Sequence, residues 1–240
     1  MFDEILTWDA QASAVQSGPH LFAGLPQWIQ DRTGNIITTL LLPSMTAEER
    51  TAERCTRLLE VVKQNGGWSG LAALTHFFKC HDGLASKLSR LIVKGLIAPN
   101  HQGVQSAALA VVAWAERHKD GAEEVPHDIY SRLLSAIELA PEHGLNSLLE
   151  CARKLLAIGR VPAEFPGRLM DALSDLLSRT NYMEIDTASI RAVSISLVRA
   201  QCVKLAVALM PLVEDDGTLE RWLDEAKADA LPEVRFAAQD

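Results

Sequence analysis

Aromatic residues make up only 5% of the 240-residue chain. A core with so few rings must be built from Ala, Leu, Val and Ile. That favours helix packed on helix over sheets, where β-branched and aromatic side chains are enriched. Cysteine is also sparse. Cys55, Cys80, Cys151 and Cys202 stand far apart, most among apolar neighbours, and no Cys-x-x-Cys occurs. Reduced, largely buried thiols in a reducing compartment are expected. Gly-x-Ser-x-Gly is missing, and no cysteine sits in a nucleophile's context. Gly66-Gly67 and Gly70 lack the Lys-Ser/Thr that would complete a phosphate-binding loop. Long hydrophobic runs are missing too: Ile36–Leu42 is cut by Pro43, too short for a membrane span. No N-terminal run joins basic residues to an apolar core. The expectations are therefore a cytoplasmic chain, no membrane partner, no cofactor, and no catalytic or cofactor-binding residue.

Charge is present but unevenly placed. The net charge of −8 arises wholly after residue 100, where fourteen basic residues meet twenty-two acidic ones. From Glu214 onward nine acids face only Arg221, Lys227 and Arg235. Such a surface repels phosphate backbones, so nucleic acid is not an expected partner. Carboxylate pairs such as Glu48-Glu49, Glu123-Glu124 and Asp215-Asp216 fall at helix starts or loops, where they complement the helix dipole.

With 48% apolar residues the chain has ample material for a continuous core. Residues 1–43 read as an irregular N-terminal helical segment, broken at Ser17-Gly18-Pro19. Thr46-Ala47-Glu48-Glu49 has capping-box form and opens a helix that ends at Gly66-Gly67. A short helix reaching Cys80 and another over Leu84–Val93 follow. Val104, Ala107, Ala108, Val111, Trp114 and Ala115 keep helical spacing. So do Ile129, Leu133, Leu134 and Ile137 after Pro126, and Leu145, Leu148, Leu149, Ala152, Leu155 and Leu156 before Gly159. Phe165, Leu169, Leu173, Leu176 and Leu177 mark a further helix. The stretch from Asp186 to Leu209 shifts its apolar face near Ala200, which predicts a kink or two helices. A helix over Leu219–Ala228 precedes the last start signal, Asp229 to Pro232-Glu233.

The first apolar residues of alternate helices, Val104, Leu145, Ile190 and Val234, are 41, 45 and 44 residues apart. That spacing lies in the window of about 40–47 residues for HEAT and armadillo arrays. Asp229…Pro232…Val234-Arg235-Phe236, and in part Asp186…Ile190-Arg191-Ala192, resembles the HEAT repeat at its turn and second helix. The resemblance covers 101–240 well, 44–100 loosely and 1–43 not at all. It implies an all-α fold: an α-solenoid of antiparallel helix pairs in a right-handed superhelical array. It also implies that the Asp and Arg fix the turn between helices. Because the signature is strongest where no polar capping repeat follows, a segment of a longer protein or an end pressed against a partner is expected.

Phe77 to Gly83 is the one cluster with catalytic overtones. Its adjacent His81-Asp82 resembles the metal-binding pair of the HD phosphohydrolases. That family also needs an upstream His and a later helical Asp, and His76 lies too close to His81 to be the former. His76 and Cys80 share a helix face, so His76, Cys80, His81 and Asp82 are the only metal candidates, short of a full ligand set. The preferred reading is a helix-connecting loop with Asp82 as a cap. HEAT-like alkylpurine DNA glycosylases are similar in length, but they need a basic concave surface that a net charge of −8 does not supply.

The function the residues imply is a protein-interaction scaffold, or a recognition or regulatory segment of a larger multidomain bacterial protein. Trp222 beside Arg221 fits a binding hot spot if exposed and core packing if buried. With Asp215, Asp216, Asp224 and Glu225 the pair forms the candidate partner-binding surface, suited to a partner with a basic or neutral face.

Overall fold

The computed structural model describes residues 82–99, 101–117, 125–139, 144–178, 190–214 and 217–239, with single positions before 82. Every regular element among them is helical, so the fold is all-α over the described residues. The expectations for 1–43, for the capping box at Thr46 and for the helices between 47 and 81 lie outside the described residues, apart from those single positions.

Two compact units divide the chain, Met1–Arg117 and His118–Asp240. In the first, α1 (Asp82–Gly95) packs against α2 (His101–Arg117). Helix α2 buries Val104, Ala107, Ala108, Val111, Trp114 and Ala115, the residues its 3.6-residue period selects.

The second unit holds α3 (His127–Glu138), α4 (Leu145–Ile158), α5 (Phe165–Ser178), α6 (Ile190–Leu209), α7 (Thr218–Lys227) and α8 (Pro232–Ala237). Pro126 stands at the N-cap of α3 with φ −53°, close to the angle its ring imposes. Helix α4 begins after Gly144 and ends at Gly159, whose φ of 90° and 76° suit residues without a Cβ. The Gly159 N–H donates to the Leu155 and Leu156 carbonyls at 3.2 and 3.0 Å, which closes the last turn. Leu145, Leu148, Leu149, Cys151, Ala152, Leu155 and Leu156 are all buried in α4. In α5 Phe165, Leu169, Ala172, Leu173 and Leu176 are buried, and Leu177 is half-buried. The Phe165 ring meets Tyr130 of α3 edge-on at 5.3 Å. The Tyr130 hydroxyl donates to the Arg160 carbonyl at 2.8 Å and so ties α3 to the α4–α5 connection.

Helix α6 is one unbroken element of 20 residues, not two helices parted near Ala200. It packs against α4, α5, α7 and α8. Its buried residues, among them Ser196, Val198, Ala200, Cys202, Leu205 and Leu209, therefore lie on several sides. A helix enclosed by four neighbours has no single apolar stripe, which is why its pattern reads as a shift. The other contacts join α3 to α4 and α5, and α7 to α8. Among the described residues no helix is long and apolar enough to cross a membrane.

Candidate functional site

The site begins with the turn between α7 and α8. Asp229 is buried there, and each of its oxygens has a role. Oδ1 accepts the Leu231 N–H at 2.8 Å, holding the turn before Pro232. Oδ2 pairs with the Arg199 guanidinium of α6. The backbone carbonyl accepts from Arg235 Nη1 at 2.6 Å, and the same nitrogen donates to the Ala230 carbonyl at 3.0 Å. Asp229 and Arg235 thus sit together at the turn. Arg199 is an addition that sequence reasoning missed. Its signal is periodic: Ser196, Arg199 and Val203 fall on one face of α6, and the polar two each meet the C-terminal turn and helix. Ser196 is buried and its hydroxyl donates to Glu233 Oε2 at 2.6 Å. That hydrogen bond holds the Glu233 carboxyl below its ordinary value.

Above this turn a cavity of about 380 Å³ opens between α5, α6 and α7. The volume falls at the small end of ligand-binding pockets. Ser174 and Leu177 of α5 line one wall, and Thr218, Arg221, Trp222 and Glu225 of α7 line the other. The Arg199–Asp229 pair lies at its α6 side. Helix α7 explains the gap. Only Leu219 and Ala226 are buried on it, and its larger cavity-lining side chains, Trp222 and Leu223, are half-buried and leave the space beside α5 unfilled.

Three of the sequence-predicted residues, Arg221, Trp222 and Glu225, share this cavity. Trp222 is half-buried, so its indole belongs neither to the core nor to open solvent. Arg221 Nη2 donates a long 3.4 Å bond to the Thr218 hydroxyl. Asp224 stands apart from the cavity and pairs at 2.8 Å with Lys227, both well exposed. Asp215 and Asp216 lie outside the described residues. So do His76, Cys80 and His81; Asp82 is placed only as the first residue of α1, with nothing described of its side chain. Among the described residues no group of three or more His, Cys, Asp or Glu side chains could hold a metal ion.

Cys202 also lines the cavity, yet burial pushes its thiol up to about 12. A thiol held protonated at neutral pH is not a nucleophile there. Cys151 is likewise buried and its thiol pushed up by desolvation. The arrangement brings a ring face, two guanidinium groups and carboxylates to one cavity. The chain matches no protein-family model, no curated protein and no solved structure.

Proposed function

We propose that the chain is a HEAT-like α-solenoid that works as a protein-recognition scaffold, with the α5–α7 cavity as a contact point for a basic or neutral partner. One observation carries the reading, the order of helix neighbours in the second unit. Helix α3 packs on α5, α4 on α6, and α6 on α8, while α3–α4, α5–α6 and α7–α8 are also in contact. Contacts between a helix and the second one after it, made by α3, α4 and α6 though not between α5 and α7, are of the kind that stacked rows of a solenoid require. Short connections such as 139–144 and 159–164 favour antiparallel pairs. The starts of α4, α6 and α8, at Leu145, Ile190 and Pro232, carry the repeat spacing seen in the sequence.

In this reading Trp222 supplies the apolar ring of a hot spot and Glu225 a free carboxylate beside it; no ion-pair partner of Glu225 occurs among the described residues. The surplus of acids from Glu214 onward steers basic segments toward the site. The partner-holding role is that of a recognition segment within a larger protein or assembly. Immobilised peptide panels of basic, neutral and acidic sequence test it. Retention of basic peptides by the wild-type chain, and its loss in Trp222→Ala and Glu225→Lys, is the expected outcome. Retention that ignores peptide charge, or that both variants leave intact, would overturn it.

A further inference from the structure

On the second unit a different surface crosses α4, α6 and α8. A shallow groove of about 530 Å³ runs over the three helices, lined by Leu156, Val207, Pro211, Leu212 and Ala237. Val207 and Leu212 are 38% and 49% exposed, so the groove keeps apolar side chains in contact with water. Its only charged lining residues are Arg153 and Lys204. Glu150 engages Arg153 through two hydrogen bonds, at 3.0 and 2.9 Å, and also pairs with Lys154 at 3.5 Å. Glu150 thus serves two cations, Arg153 and Lys154, and Lys204 has no ion-pair partner among the described residues. In a chain with net charge −8, an apolar groove bordered by surplus positive charge is complementary to something other than the rest of this surface.

We infer that the groove across α4, α6 and α8 docks an amphipathic helix of a partner protein, with small apolar residues on one face and acidic residues at its margins. A helical occupant is favoured because this surface, made of helix sides, offers no free row of backbone groups. A segment lying on it has to satisfy its own N–H and C=O groups. Two helix spacings of ~8–10 Å set the crossing length at ~20 Å, or roughly 13 residues of helix. Apolar side chains at i, i+3, i+4 and i+7 meet Leu156, Val207 and Leu212; flanking carboxylates meet Lys204 and Arg153. This proposal goes beyond the scaffold reading, because it uses another row of helices and a partner of opposite charge.

The probe is a synthetic helical peptide of about 14 residues, with a Leu/Ala stripe and Glu margins, labelled for fluorescence anisotropy against the full chain. Saturable binding that weakens with salt is expected, with about tenfold or greater loss in Lys204→Glu and in Val207→Asp. Both positions are exposed, and unchanged circular dichroism and Tm will show that each variant folds. The Lys-margin version of the peptide should bind at least about tenfold more weakly. Glu225→Lys should leave this binding unchanged while abolishing that of basic peptides, which separates the two surfaces. No binding, equal binding of both peptides, or binding indifferent to Lys204→Glu overturns the proposal. So does a concentration-dependent dimer that Lys204→Glu abolishes, which would assign the groove to a second copy of the chain.

Discussion

The row formed by α4, α6 and α8 and the opposite pair, α5 and α7, differ in how fully they close. Helix α4 buries seven residues, most of them leucines, and packs against α6. Helix α7 buries only Leu219 and Ala226 and faces α5 across a cavity. Both rows are helical and both lie in one unit. The difference is the supply of large apolar side chains at the contact, since dispersion and burial act only where atoms meet. The closed row carries stability, and the open pair leaves room for a ligand group.

The comparison can be broken by substitution, beginning with the largest effect. Leu148→Ala, at a fully buried position of α4, should cost ~2–5 kcal/mol in urea unfolding. Leu223→Ala, at a half-buried position on α7, should cost less than about 1.5 kcal/mol. Equal losses would erase the distinction between the rows. Asp229→Ala comes next. It leaves the Arg199 guanidinium without its carboxylate and the Leu231 N–H without its acceptor, at a cost of about 2–4 kcal/mol. A loss confined to a few tenths would show that the turn does not depend on this residue.

Adding volume should give opposite signs on the two sides. Ala152→Leu overpacks the α4 contacts and should destabilise by ~1–3 kcal/mol. Ser174→Leu extends into the cavity and should stabilise by about 0.5–1 kcal/mol, measured as a rise in Tm. The smallest effect is a pH dependence. The folded Glu233 carboxyl lies below its ordinary value of 4.5 because the Ser196 hydroxyl donates to it. Its contribution to stability is complete above 4.5 and is lost as pH falls through the lower folded value. The Tm difference between wild type and Ser196→Ala should therefore shrink on acidification, and a difference that grows instead would contradict the sign.

Much of the second unit is legible in its periodicity. Every residue assigned to the inner face of α4 is buried, because one-sided burial imposes one spacing. Helix α6 is read as a helical stretch to Leu209, but not as a single helix, because a helix with four neighbours buries residues all round and imitates a break. At the site, Arg221, Trp222 and Glu225 come together because they recur within about one helical turn of each other. Asp224 does not join them, since it lies about 200° round the helix from Trp222. Arg199 escapes sequence reasoning for a different reason. Its partner is 30 residues away, and no local pattern carries a contact of that range.

The central position of α6 has a consequence for tolerance to change. A rod ~30 Å long that touches α4, α5, α7 and α8 leaves few of its sides open to drift. A saturation scan should find α6 intolerant around most of its circumference, with Leu197, Lys204 and Val207 as the permissive positions because they are exposed. Helix α7, anchored at two buried residues, should accept change over most of its length. Substitutions can then accumulate on α7 while α6 holds the architecture still.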